Sequence, residues 1–304
     1  MATPKLITGG ILAAAISPRR SREHSIDLAA ALELIDFLYE GGVEGITLLG
    51  STGEFVHFML EDRARMLDFA VKRSRVPIMV NVSHSTLDGA VFLGQEAAGS
   101  GVAAVLLMPP YYFRYDQDAV RTFCLQAGEE LAKEVPVYLY HIPRFTNSID
   151  LDTATSLLAT GIFAGIKDSS GDTSYMDGLL ANRASGNIKV FCGDDKRFAK
   201  ARAAGADGAI SGVACAMPEL MVRLDKAVTS GEQDVVERLD AKVDELVTRV
   251  RQFPTPMAIK EAVKQRGVDP GAQAVPLSVA GCKGLEEFSS WFKEWFPGVL
   301  RECR

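Results

Sequence analysis

The sequence holds no run of eighteen or more apolar residues, so none of it can span a bilayer as a single helix. It lacks low-complexity tracts and any surplus of positive charge: 39 acidic against 33 basic residues in 304 leave a formal net charge of -6. That balance argues against a general nucleic-acid or anionic-membrane surface and suits a small-molecule function. Cysteine is sparse. Cys124, Cys192, Cys215, Cys282 and Cys303 are odd in number and far apart, which fits free thiols in a reducing cytoplasm and not a disulfide framework. Cys192 ends an apolar run and reads as a small buried hydrophobe. The four histidines, His24, His57, His84 and His141, form no His-x-His or His-x-x-x-His pair, so a metal centre would need the last three to converge from separate segments. There is no Gly-x-Ser-x-Gly elbow for a serine hydrolase. The short apolar run Gly9 to Ile16 follows Lys5 in the manner of a signal sequence, but it is brief and Arg19, Arg20 and Arg22 follow it, so it reads as a first strand.

What the chain does have is alternation. Short runs rich in Val, Ile and Leu are separated by longer amphipathic stretches, the βα pattern of a parallel sheet. The candidate strands are Gly10 to Ile16, Gly45 to Gly50, Pro77 to Val82, Ala103 to Met108, Val137 to Ile142, Phe163 to Lys167, Lys189 to Cys192 and Gly208 to Ser211. Helical patterns between them include Ile26 to Tyr39, Glu61 to Arg73, Asp116 to Lys133 and Thr173 to Asn182, with Gly41-Gly42, Gly99 to Gly101 and Gly205 at helix ends. Eight strand-helix units in roughly 230 residues match a (β/α)8 TIM barrel. A doubly wound open sheet is the competitor, yet the first strand leads into Ser17-Pro-Arg-Arg20 and not into a glycine-rich dinucleotide turn. After Ser211 only helices are expected, over Pro218 to Thr229, Glu232 to Gln252, Pro256 to Arg266 and Leu285 to Phe296. Residues 1–230 are therefore read as the barrel and 231–304 as a C-terminal helical extension packed on it.

In such a barrel the chemistry lies at the carboxyl ends of the strands. The sixth strand carries Lys167 within Phe163-Ala-Gly-Ile-Lys-Asp-Ser-Ser170. Lysine is rarely buried without a partner or a chemical task. Desolvation favours the neutral amine, which can attack a ketone and form a Schiff base. The plainer reading is a lysine whose stem covers apolar surface and whose head meets water or Asp168. Strand two ends in Gly50-Ser51-Thr52-Gly53-Glu54, where successive N–H groups and two hydroxyls could hold a carboxylate or phosphate, or form a capped tight turn. Strand four runs into Pro109-Pro110-Tyr111-Tyr112. Strand five gives Tyr138-Leu-Tyr140-His-Ile-Pro143, in which Tyr138 and Tyr140 share a face. If that face is the interior, Tyr140 points into the mouth beside Lys167. Gly193-Asp194-Asp195 ends strand seven. Its carboxylates would repel a phosphate and could instead receive sugar hydroxyls or cap the helix that follows.

Taken in order, the Gly50-Ser51-Thr52-Gly53-Glu54 loop, Tyr111-Tyr112, Tyr140-x-x-Pro143 and Gly165-Ile166-Lys167-Asp168 resemble the dihydrodipicolinate synthase and N-acetylneuraminate lyase family of Schiff-base-forming barrel enzymes. The resemblance implies that Lys167 forms the imine, Tyr140 shuttles the proton, and Ser51 and Thr52 bind the carboxylate of a 2-oxo acid. It implies that Tyr112 completes a hydroxyl relay with Ser51 and Tyr140, in relatives often across a subunit contact, and that Gly193 and Ile210 line the pocket. No metal or organic cofactor is implied, and a homotetramer is. Two departures bear on substrate. Members that make dihydrodipicolinate usually place arginine two residues after the proline of the tyrosine motif, where this chain has Phe145 with Arg144 displaced by one. Sialic-acid lyases usually carry an acidic residue at Lys196 and a serine near Gly212. The expected activity is cleavage or formation of a 2-keto-3-deoxy sugar acid from pyruvate and an aldehyde. A dehydratase of the same family, dihydrodipicolinate synthesis and a non-catalytic binding barrel are the rivals.

Overall fold

A computed structural model describes residues 6–21, 23, 25–183 and 188–304. Lys5, Arg22 and His24 lie outside the described residues. Eight strands form a closed barrel in sequence order, β1 Gly10–Ala14, β2 Gly45–Leu48, β3 Ile78–Asn81, β4 Ala104–Leu107, β5 Val137–His141, β6 Phe163–Asp168, β7 Lys189–Cys192 and β8 Gly208–Ser211. Every neighbouring pair is parallel, and β8 closes on β1 through Leu12 opposite Ile210. Strands buried on both faces must be apolar throughout, which is why they read as continuous runs. All eight expected strands form, each within two residues of its anticipated ends, because the outermost apolar residues leave the ladder to enter the loops.

The outer ring comprises α1 Leu28–Glu40, α2 Leu60–Arg73, α3 Leu87–Ser100, α4 Gln117–Leu131, α5 Leu151–Ala159, α6 Thr173–Ala181, α7 Phe198–Ala203, the short α8 Val213–Ala216 and α9 Pro218–Ser230. Their starts are set by side-chain caps: Asp27, Thr86, Asp116 and Asp172 accept from N–H groups of the first turns. Gly101, with φ 81°, closes α3 in the left-handed conformation that a side chain resists. A full layer of buried Leu, Ile, Val and Ala joins ring to barrel, each large side chain contributing roughly 1.5–3 kcal/mol.

Three further helices follow, α10 Gln233–Val250, α11 Met257–Gln265 and α12 Val279–Glu302. The last is twice the length anticipated from Leu285 to Phe296. Ser278 caps it at the N–H of Gly281, so Gly281 and Gly284 fall inside the helix and do not end it. It also runs through Pro297, because Val299 remains buried against the core and Glu302 meets Arg238 and Lys242. Phe288, Phe292 and Phe296 stack along one face at 6.0 and 5.4 Å, and Arg249 covers Trp291 at 4.2 Å. Among the described residues no helix is long and apolar enough to cross a membrane.

Candidate active site

Alternation along β5 and β6 decides which side chains face inward. Lys167 is registered opposite Tyr140, and both are buried, 4% and 2% exposed. The Lys167 Nζ stands 4.2 Å from the centre of the Tyr140 ring. Among the described residues it has no ion pair and no hydrogen bond. Asp168, which the plainer reading offered as an alternative to water, points to the outer face: its Oδ1 lies 3.1 Å from His141 Nδ1, and its Oδ2 accepts from Ser170. Tyr175 of α6 covers that pair, its ring 4.2 Å from His141 and its hydroxyl donating to Ile149 O. Burial pushes the Tyr175 phenol well above its ordinary range.

The loop after β2 brings Ser51 Oγ to 3.3 Å from the Tyr140 hydroxyl. Left-handed backbone at Leu49 (φ 57°) and Glu54 (φ 51°) turns the loop, and Gly53 lets it close: a Cβ there would stand 3.1 Å from Ala15 O. Gly193 is equally constrained, since its Cβ would meet Lys167 Cε at 2.8 Å. Ser51, Thr52, Tyr140, Lys167, Gly193 and Ile210 all line one cavity of about 190 Å³ at the carboxyl end of the barrel. Every anticipated site residue except Tyr112 is thereby brought together.

Tyr112 is not. It is 88% exposed, its backbone is left-handed at φ 79°, and its ring packs edge-on against Phe113. Its neighbour Tyr111 turns inward instead, 5.6 Å from Phe55, and lines a second cavity of about 270 Å³ with Ser51, His57, Met108 and Phe145. Of the three hydroxyls expected to meet, only those of Ser51 and Tyr140 do so among the described residues of one chain.

The acidic pair after β7 splits. Asp194 caps a short 3₁₀ turn at Lys196 N and holds Arg251 at 2.8 Å, which bears out the capping alternative for that residue. Asp195 lines the cavity. Its Oδ2 accepts from Val213 N at 3.1 Å while Oδ1 is buried with no partner at hydrogen-bond geometry among the described residues, and burial pushes the carboxyl up to about 6 against the pull of nearby Ser211, Val213 and Lys167. Lys196 turns away to Asp244 and Thr248. Arg144 is exposed at the cavity mouth beside Phe145. Burial pushes the thiols of Cys124, Cys192 and Cys215 up to about 12, as inert packing residues.

His57, His84 and His141 do not converge: His57 faces Glu54, His84 meets Thr86 and His141 meets Asp168. Among the described residues no group of three His, Cys, Asp or Glu side chains could hold a metal. Sequence reasoning missed one wall of the site altogether. Val247, Val250, Arg251, Thr255 and Ile259, all beyond the barrel, line the same cavity as Lys167. They carry no motif: Val247, Val250 and Ile259 show only as part of the apolar faces of two amphipathic helices, and Arg251 and Thr255, between those helices, carry no signal of their own.

Comparison with known proteins agrees with the fold. Residues 8–294 match the sequence pattern of the Dihydrodipicolinate synthetase family. The 4-hydroxy-tetrahydrodipicolinate synthase of Methanococcoides burtonii is 27% identical over 286 residues, covering 94% of this chain and 97% of that protein. The enzyme of the same name from Salinibacter ruber is 35% identical over 214 residues, 69% of each chain. Among solved structures, the 2-keto 3-deoxygluconate aldolase from Picrophilus torridus superposes with a TM-score of 0.82 at 26% identity, covering 90% of this chain and all of that one (100%).

Proposed function

The chain belongs to the dihydrodipicolinate synthetase family of lyases, and on that premise we propose that it is a Schiff-base-forming aldolase that cleaves a 2-keto-3-deoxy sugar acid to pyruvate and an aldehyde, or condenses the two. The observation that carries this reading is Lys167: a buried amine facing a buried phenol, with no ion pair within 4.0 Å and no hydrogen bond among the described residues.

Lys167 attacks the C2 ketone, and loss of water leaves an iminium that withdraws electrons from C3 and C4. Ser51, Thr52 and the N–H groups of their loop hold the C1 carboxylate, so that the ketone presents its face to the amine. Tyr140 takes the proton of the C4 hydroxyl, and the C3–C4 bond breaks to release the aldehyde. The enamine accepts a proton at C3, and hydrolysis frees pyruvate and the lysine. A positioned acid-base group of this kind contributes about 10²–10⁴-fold. Gly193 leaves room for the lysine stem, and Ile210 supplies an apolar floor. The oligomer belongs to the proposal: Tyr112 cannot join the relay of its own chain, and its exposed phenol suits delivery to the Ser51–Tyr140 pair of a second copy in a homotetramer.

Phe145 in the position usual for the dihydrodipicolinate-forming arginine supports a sugar acid over aspartate semialdehyde. The second reading, dihydrodipicolinate synthesis, is favoured by one observation: Arg144, though displaced by a residue, still lines the cavity mouth. Borohydride reduction with pyruvate followed by peptide mass mapping tests the common step. An adduct on Lys167 is expected, and an adduct elsewhere or none refutes the proposal. Product analysis then separates pyruvate plus aldehyde from a single dehydrated oxo acid, and condensation of pyruvate with aspartate semialdehyde tests the synthase.

A further inference from the structure

A second lysine is buried completely, and it lies outside the barrel. Lys260 of α11 is 0% exposed, and its Nζ donates at 2.9 Å to Glu54 Oε2 and at 3.0 Å to Ala272 O. Glu54 directly follows Ser51-Thr52-Gly53 and is itself buried, at 7%. Its left-handed backbone, φ 51° and ψ 35°, is one that few residues other than glycine adopt and that persists where surroundings impose it. Its other carboxylate oxygen stands 3.3 Å from His57 Nδ1. Ala272 is anchored in turn by its N–H to Arg19 O at 2.8 Å, just beyond β1. One ammonium thus ties the loop after β2 to α11 and to the segment that follows it.

A buried ion pair is a poor source of stability, because desolvating both ions offsets most of their attraction and an apolar pair of equal volume often serves as well. What it supplies is direction, through short charge-assisted hydrogen bonds. The Glu54 N–H donates to Ser51 O at 3.2 Å, and Ser51 meets Tyr140, so a shift of Glu54 passes to the relay. Thr255, just before the helix that carries Lys260, and Ile259, in its first turn, line the same cavity.

We propose that Lys260 and Glu54 are positioning residues: through them the C-terminal extension holds Ser51 and Thr52 at the spacing from Lys167 that a 2-oxo acid requires. This rests on the reading of those two residues as the carboxylate site. The test uses the full chain carrying Glu54→Gln, which removes the charge at nearly constant shape, or Lys260→Met. Borohydride trapping at Lys167 is measured against pyruvate concentration, and amide hydrogen exchange at residues 51–54 is measured with no pyruvate present. The half-saturating pyruvate concentration should rise about 10- to 100-fold, with trapping at saturation within a few-fold of wild type and faster exchange at residues 51–54. A pair that serves stability alone would lower the melting temperature and leave half-saturation and loop exchange unchanged in the folded variants, and that result overturns the proposal. If Lys260→Met does not fold, Glu54→Gln decides by the same two readouts. Because exchange needs no substrate, a wild-type protein that traps no pyruvate refutes the Schiff-base reading, while exchange still reports whether the pair holds the loop.

Discussion

Replacing Gly193 with alanine should damage catalysis more than folding. The new Cβ would stand 2.0 Å from Ser169 Oγ, 2.8 Å from Lys167 Cε and 3.0 Å from Asp168 O. The serine hydroxyl can rotate away. The carbonyl cannot, because it accepts the Gly193 N–H at 2.6 Å between β6 and β7. Lys167 must therefore give way, and ordinary contact from 3.4 Å requires its Cε to move by about 0.6 Å. Overpacking of this kind costs about 1–3 kcal/mol of stability. A comparable displacement of a reacting group lowers the rate about 10- to 100-fold. The assay is the initial rate of pyruvate trapping at Lys167 by borohydride, with melting temperature measured in parallel. Gly99→Ala is the control. Its Cβ meets nothing within 4 Å, and it lies in α3, where alanine should stabilise by roughly 0.5–1 kcal/mol without touching the site. A Gly193→Ala protein that traps pyruvate at the wild-type rate would refute the placement of the imine nitrogen beside this glycine.

Tyr140→Phe keeps the ring against Lys167 and removes the hydroxyl, so carbon–carbon cleavage should fall about 10²–10⁴-fold while pyruvate trapping persists; equal loss of both would place the phenol elsewhere in the reaction. Burial raises the Asp195 carboxyl from 3.8 to about 6, so the folded protein binds that proton more tightly than the unfolded chain. Its stabilising effect is complete below about pH 4 and is lost as pH rises to about 6. Asp195→Asn, which retains an acceptor for Val213 N, should therefore gain melting temperature relative to wild type between about pH 4 and about pH 7; a constant difference across that range counts against the assignment. Phe292→Ala removes a fully buried ring (0% exposed) from the stack on α12 and should cost about 3–5 kcal/mol by denaturant unfolding.

The strands were legible because each is buried on both faces and leaves an unbroken apolar run that turn residues interrupt. Lys167 stood out for the same reason, as a cation inside such a run, and Tyr140 because two-residue alternation places it on the same face as Tyr138. Lys260 shows the limit of that reasoning. It too lies among buried residues, between Ile259 and Ala262, yet a helical pattern tolerates one polar position, and its partner Glu54 is 206 residues away. The length of α12 was hidden for a different reason. Gly281, Gly284 and Pro297 are local signals to stop, and tertiary packing of Phe288, Phe292 and Val299 overrides them.

Steric preference and apolar periodicity act over a few residues, and these alone determined the number of strands, the order of their polar endings and that Tyr138 and Tyr140 share a face. Only the folded chain decided which face of β5 and β6 points inward, that Tyr140 stands level with Lys167, that Asp168 turns to His141 and away from the amine, that Tyr112 faces outward, and that Val247, Val250, Arg251, Thr255 and Ile259 wall the cavity. These depend on closure of β8 against β1 and on helices returning over the barrel mouth, which sum many weak contacts between distant segments and leave no mark at any one position.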